Sequence, residues 1–327
     1  MGAGVSYFLI PLLYNAIATS LPSHQAWRVT FVIPACLCIL MAAADFFLGD
    51  DCPNGEWKHR DSKLEAYDVE QHGMPQLNSD NDSTHTGKSD DEWPMRKGRL
   101  NNTIIVHASN PVPQPTGAKA LLSQLKNPAV LILMVQYGCS FGLELAVDNV
   151  IGEFFHLHFG LSQTTSGMLG SIFGLMNIFS RASGGILADY VNTLIGEGLQ
   201  GRMLVHFCIF FFEGSFLIGF SYVLEGLRSS LIVLVLFSYF VQAGCGTTFS
   251  IVPFVNPRSS GSVYGLVAAG GSLGSVLFNY VFKIYGANYV DAFRVIGYIV
   301  IAAALLTLML KIQSRMLLGI VFKRMNP

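Results

Sequence analysis

What the sequence has least of is charge. Lysine, arginine, aspartate and glutamate together make 13% of its 327 residues, against a hydrophobic share of 51% and a mean hydropathy of +0.47. So few charges cannot cover the surface of a soluble domain of this length, and the chain is read as a membrane protein. An excess of either sign is missing too: 20 basic residues stand against 21 acidic ones, a formal net charge of -1, which points away from nucleic acid and other polyanions. Paired cysteines are lacking. Cys36, Cys38, Cys52, Cys139, Cys208 and Cys245 show no CxxC spacing, which argues against a zinc site or a disulfide framework and leaves them as packing residues. No basic leader precedes the opening run "MGAGVSYFLIPLLYNAIATS", so it is read as a helix once preceded by others, not as a cleaved signal. No span gathers Ser, His and Asp into a catalytic cluster, so the chain is not read as an enzyme. His156 and His158 in "FFHLHFG" lack the further ligands a metal needs, and neither a metal nor a cofactor is expected.

What is present is a series of apolar runs, each long enough to cross a hydrocarbon core as a helix. They fall at 1–18, 27–49, 128–150, 164–188, 203–224, 229–250, 260–282 and 292–311. Between the second and third, residues 50–126 change character. "NSDNDSTHTGKSDDEWPMRKGRLNN" is too polar to fold alone, and "PVPQPTGAKA" extends it as far as Pro128, where a helix can start. The chain therefore divides into 1–49 with two helices, a largely disordered loop at 50–126, a six-helix segment at 127–312 and a tail at 313–327. Nine of the twenty basic residues lie in the loop, and Lys311, Arg315, Lys323 and Arg324 follow the last span. An even number of spans separates loop and tail, which puts both on one side, and their basic residues make that side cytoplasmic. The sequons at Asn81 and Asn101 are then false matches.

One residue is out of place in this pattern. "SIFGLMNIFSRASGGILADY" reads as a span yet carries Arg181 near its middle. A guanidinium at bilayer depth costs about 2.5–3.5 kcal/mol on insertion scales, so it faces the bundle interior or a watery cavity and needs a partner. That partner is either a carboxylate such as Glu144, or backbone carbonyls, or an anionic ligand. Asn177 lies four residues earlier on the same helical face, and Tyr137 and Phe141 share another face by the same spacing. Glu144 is the deepest of three carboxylates, with Asp148 and Glu153, along the end of the third span; Glu213 is its rival.

Two spans, a long cytoplasmic loop and six further spans match the second part of a transporter built from two six-helix halves around a midplane site. "GGILADYVNTLIGEGLQGR" resembles the loop motif of the major facilitator superfamily, with Gly185, Asp189, Gly201 and Arg202 in its places and an insertion before the basic residue. "FGLMNIFSRASGG", "YGCSFGLEL", "GTTFSIVPFVNPRSSGSVYGLVAAGGSLG" and the opening "GAGVSYFLIPLLY" are similar to the eighth, seventh, tenth-to-eleventh and fifth spans of the nitrate/nitrite porter family. Ser272 departs from the family's usual asparagine, and counterparts of the first four spans are lacking.

The resemblance implies an all-α membrane protein with a partial major facilitator fold: the last two helices of the N-terminal bundle and a complete six-helix C-terminal bundle. It implies nitrate or nitrite transport by alternating access with proton symport, in a truncated member or incomplete gene model that gives no uptake on its own. A non-transporting membrane interaction or regulatory protein is the alternative. Arg181 is implied as the residue that grips the anion, since a planar fork of donors suits a planar oxyanion. Tyr137, Phe141 and Asn177 complete the cavity, and Glu144 is a candidate proton carrier. Gly2, Gly4, Gly261, Gly265, Gly270, Gly271 and Gly274 are signature and helix-packing residues, and Gly185, Asp189 and Arg202 brace the cytoplasmic gate. The expected partners are nitrate or nitrite, protons, lipid and cytoplasmic regulators at the 50–126 loop, in the plasma membrane.

Overall fold

The computed structural model describes residues 2–49, 118–195, 198–223, 226–312 and 315–317. Most of the 50–126 loop, both sequons and most of the 313–327 tail lie outside these residues. Eleven helices are described: α1 (Gly2–Ala18), α2 (Ser23–Leu48), α3 (Ala118–Gln124), α4 (Pro128–Tyr137), α5 (Leu143–Phe159), α6 (Gln163–Leu175), α7 (Asn177–Ile195), α8 (Gln200–Tyr222), α9 (Leu227–Ile251), α10 (Ser260–Tyr285) and α11 (Tyr289–Leu306). A helix stands at each of the eight places the apolar runs predict. Among the described residues six stretches are long and apolar enough to span a membrane, one of them the continuous 32-residue stretch Pro128–Phe159.

The two other runs differ for local reasons. The first contributes only a shorter apolar helix, Phe8–Ala18. The run at 164–188 is not one helix but two, α6 and α7, meeting at Met176. The Gln242 side chain donates to the Phe173 carbonyl at 2.6 Å just before this break, and a side chain entering the ladder in this way is a recognised cause of a kink.

The chain forms two compact units, residues 1–31 with 113–327, and residues 32–112. Of the second, the described part is the C-terminal portion of α2 and Gly49, whose Leu37, Ile39, Leu40, Met41, Phe46 and Phe47 are exposed in the manner of a lipid-facing helix. Cys36 and Cys38 also lie exposed here, so the expectation of a packing role fails for them; Cys139 and Cys245 are buried.

Within the first unit, α1 packs along α6, α7 along α9, α8 between α9 and α11, and α4 with α5 along α10. Two large apolar clusters and a small third one, of Ala188, Val205, Ile209 and Ala243, fill its interior. Of the two large ones, the first is rich in phenylalanine, with Phe154, Phe155, Phe173, Phe210, Phe220, Phe237 and Phe293. The other gathers Leu133, Met203, Ile251, Val263 and Val267. Leu310, Ile312 and Leu317 belong to the second cluster, because the chain after α11 turns back in a two-stranded hairpin, β1 (Lys311–Ile312) with β2 (Arg315–Met316), and Gln200 Nε2 donates to Met316 O at 2.8 Å. The predicted tail therefore begins as part of the core.

Buried polar side chains also lie inside the bundle. His206 Nε2 donates to Gln136 Oε1 at 3.1 Å, His206 Nδ1 lies 2.8 Å from Thr247 Oγ1, and Gln136 Nε2 donates to Ala303 O and to Thr307 Oγ1, at 3.0 and 2.7 Å. Replacing one member strands the others, at about 1–3 kcal/mol for each buried group left unsatisfied. Gln136→Leu should therefore lower the unfolding temperature of the detergent-solubilised chain by several degrees, despite matching the apolar surroundings. Unchanged melting would show that the network adds nothing to stability.

Candidate functional site

The residues singled out at the third and fourth runs converge. Tyr137 closes α4, and the next five residues, Gly138–Gly142, form a π-helical turn before α5 begins. Such turns recur at functional sites. This one is bedded against α10: a Cβ on Gly142 would lie 2.6–2.8 Å from Ser275 N, Gly274 C and Gly271 O, and a Cβ on Gly274 would meet the backbone of Gly138. A Cβ on Gly271 would run into the rings of Tyr137 and Phe141, at 2.7–2.8 Å. Gly270, Gly271 and Gly274 thus allow the close approach the sequence suggests. Among the described residues nothing lies within 4 Å of a Cβ built on Gly261 or Gly265, so these two are not part of this seam. Gly2 and Gly4 fall in the opening turn of α1.

On this base the Tyr137 and Phe141 rings stack, with centroids 5.1 Å apart and planes 7° from parallel, and Phe249 of α9 meets Tyr137 edge-on at 4.9 Å. The Arg181 guanidinium sits over the Phe141 ring, 5.7 Å from its centroid, within the reach of a cation–π contact.

Arg181 is clamped at its own backbone. A Cβ on Gly246 would strike the Arg181 carbonyl, and a Cβ on Gly184 the backbone of Ala243, so α7 and α9 run in direct contact at this level. From there the side chain, 34% exposed, reaches α5, where Nη2 donates to Glu144 Oε2 at 2.7 Å. Asn177 Nδ2 donates to the other oxygen, Glu144 Oε1. Cys245 Sγ lies 3.6 Å from Glu144 Oε2 and 3.6 Å from Ser140 Oγ. Arg181 Nε is buried and finds no acceptor among the described residues. The carboxylate left open as a partner by the sequence is therefore engaged, and the buried Nε donor of the guanidinium is left without an acceptor among the described residues.

Of the other acids, Asp148 is buried one turn beyond Glu144 with Oδ1 unpartnered, and Glu153 is exposed. Glu213 is fully buried in α8, both oxygens without a partner among the described residues; its Oε2 would lie 3.0 Å from a Cβ on Gly244. Ser140, Cys245 and Phe249 were not singled out by sequence reading. The paired glycines flanking "GCSFG" and "GCG" were the available signal, since they mark where helices touch.

The residues expected to brace a gate form a second, separate group. Arg202 pairs with Asp189 at 3.0 Å, donates from Nη1 to Ser250 O at 2.9 Å and lies over the Phe254 ring at 4.5 Å. Gly201 is pressed on the backbone of Asn192, whereas Gly185 makes only ordinary contact with Gly246 O at 3.8 Å. Asp189 is 60% exposed, so the ion pair itself adds at most about 1 kcal/mol. Arg202→Ala should consequently cost more than Asp189→Asn in thermal unfolding, because it also removes the bond to α9 and the ring contact. Equal losses would assign the whole effect to the ion pair.

The described residues thus form membrane-length helices with an arginine drawn into the bundle interior, helices clamped by glycine seams and an Asp–Arg pair beside them. Residues 1–279 match the Major Facilitator Superfamily, and the chain belongs to it. Its fold is a partial version of the major facilitator fold. Within that superfamily the chain is similar to Nitrate transporter 2.2 of Chlamydomonas reinhardtii, 35% identical over 278 residues, 85% of this chain and 45% of that protein. It is also similar to High-affinity nitrate transporter 2.3 of Oryza sativa subsp. japonica, 32% identical over 309 residues, 93% of this chain and 50% of that protein. Nitrate/nitrite transporter NrtP of Nostoc punctiforme is 30% identical over 171 residues, 48% of this chain and 30% of that protein. These relatives are consistent with the nitrate/nitrite porter branch. The chain spans about half the length of the curated relatives it matches.

Proposed function

We propose that this chain carries the anion-binding half of a nitrate or nitrite transporter working by alternating access, with protons as the coupled ion. The observation that carries the reading is Arg181: a guanidinium inside the bundle, held over the Phe141 ring, partly open to solvent and retaining a buried donor, Nε, without an acceptor. A charge at this depth needs a functional reason, and the relatives' names supply one. Asn177 adds a second donor beside it, Tyr137 and Phe141 bound the cavity, and Glu144 is the proton carrier. Asp189 and Arg202 brace the cytoplasmic end, where the 50–126 loop would meet regulators by phosphorylation or docking. The protein resides in the lipid bilayer of the plasma membrane, with loop and C-terminus cytoplasmic.

The test is direct. The purified chain in lipid nanodiscs should bind nitrate and nitrite in isothermal titration calorimetry and discriminate against chloride and sulfate, which are not planar. Absence of nitrate binding, or equal affinity for chloride, would overturn the reading.

A further inference from the structure

The Glu144 carboxylate is held as a ligand would be. One oxygen takes the Arg181 guanidinium and the other takes the Asn177 amide, donors that come from the same face of α7. A carboxylate, nitrite and nitrate are all planar groups that present two oxygens at an edge, and the pair of donors that grips one suits the others. We infer that Glu144 is a built-in occupant of the oxyanion site, and that the transported anion enters by displacing it as the carboxylate takes up a proton. This rests on the reading of Arg181 as the anion-binding residue and says how that site is loaded.

The chemistry balances without any other reactant. Before loading, Arg181 carries a positive charge and Glu144 a negative one. A proton arriving on the Glu144 carboxylate forms an O–H bond and breaks the ion pair. The incoming anion then takes the freed guanidinium and amide donors, with Arg181 Nε available as a further donor. The site is neutral before and after, so no uncompensated charge is created at bilayer depth, where it is most costly. Without the proton, two anions would share one guanidinium in a low-dielectric surrounding and repel each other.

The other groups around Glu144 that can hold charge are Tyr137 from α4, Cys245 from α9, Asp148 on α5 itself and Glu213 from α8. Glu153 and Lys283 stand further out, on a cavity of about 410 Å³ between α5 and α10. Arg181 supplies the positive charge at the carboxylate. The ionised forms of Tyr137, Cys245, Asp148 and Glu213 would each be made more costly by a second bound anion, and a proton that accompanies the anion removes that cost.

The experiment measures nitrate binding to the purified full chain in nanodiscs between pH 5.5 and 8, with proton uptake followed by an indicator dye in weak buffer. Nitrate affinity should rise as pH falls, with a slope that approaches about tenfold per pH unit as proton uptake approaches one per nitrate bound. Glu144→Gln, which removes the charged occupant, should bind nitrate with little pH dependence and no proton uptake. Wild-type binding that is independent of pH and releases or absorbs no proton would overturn the displacement mechanism while leaving the Arg181 site standing. No nitrate binding at any pH would overturn the anion-site reading, and the inference with it. Should Glu144→Gln fail to give monodisperse protein, the wild-type proton count decides alone.

Discussion

Arg181→Ala should abolish nitrate binding, and Arg181→Lys should leave only a weak remnant. Alanine removes every donor that the guanidinium offers and strands Glu144 as a buried charge. Separately, the contacts between the guanidinium and the bound anion form a buried charged pair, and truncating one partner of such a pair costs about 2–5 kcal/mol, so a loss of at least roughly 30-fold in affinity is expected. Lysine keeps the charge but offers a compact ammonium in place of a planar fork, so it cannot hold two oxygens of one planar anion in the same way. The decisive comparison is the double variant Arg181→Gln with Glu144→Gln. Removing both charges together costs less than stranding either, so this protein should fold at least as well as the single variants. If Arg181 serves the anion, the double variant is folded and does not bind nitrate. If Arg181 only neutralises Glu144, nitrate binding returns. Calorimetry on the two single variants and the double separates the cases, and recovery in the double would end the anion-site reading.

The second large effect concerns the glycine seam under the site. Gly142→Val should prevent the chain from reaching a monodisperse, well-folded form. The new Cβ would sit 2.6–2.8 Å from three backbone atoms of α10, none of which can rotate out of the way. Overpacking a core typically costs about 1–3 kcal/mol, and more where only backbone can yield. The displacement would carry Tyr137 and Glu144 with it, since both flank the π turn. Gly265→Ala is the matched control on α10. It has open space around it and a helical backbone, so alanine should be neutral or slightly stabilising. Gel filtration and thermal unfolding of the pair check the claim, and similar behaviour of the two variants would refute it.

How far the sequence revealed this can be judged at particular residues. Helix positions were legible because apolar length is a strong signal and the membrane demands it. The break at Met176 was not, because α6 and α7 together keep the length of a span and the cause, Gln242, lies on α9. The π turn was hidden for a similar reason: its glycines are explained by α10, more than a hundred residues away. The tail hairpin was missed because a run of basic residues after a span reads as solvent-exposed, while Leu310, Ile312 and Leu317 between them are core residues. For the site, Arg181, Asn177 and Glu144 were all named from depth and spacing. Their joint geometry was not available, since spacing places residues on a face but does not say which helix faces which. Gly261 and Gly265 differ from the rest of the run: among the described residues, glycine-mediated close approach on α10 begins at Gly270, although Val263 and Val267 before it are core residues.

The glycine seams also divide the helices mechanically. Backbone-to-backbone contact locks α4 and α5 to α10 on one side, and α7 to α9 on the other, so neither pair can slide internally without a clash. The ion pair from Arg181 to Glu144, with Asn177 beside it, ties the first block to the second. It works as a latch between two rigid plates. Releasing it leaves each plate intact and frees the boundary between α5 and α7 for the small sliding motions that packed helices permit. A single protonation at Glu144 would therefore loosen one defined plane of the molecule rather than soften it as a whole.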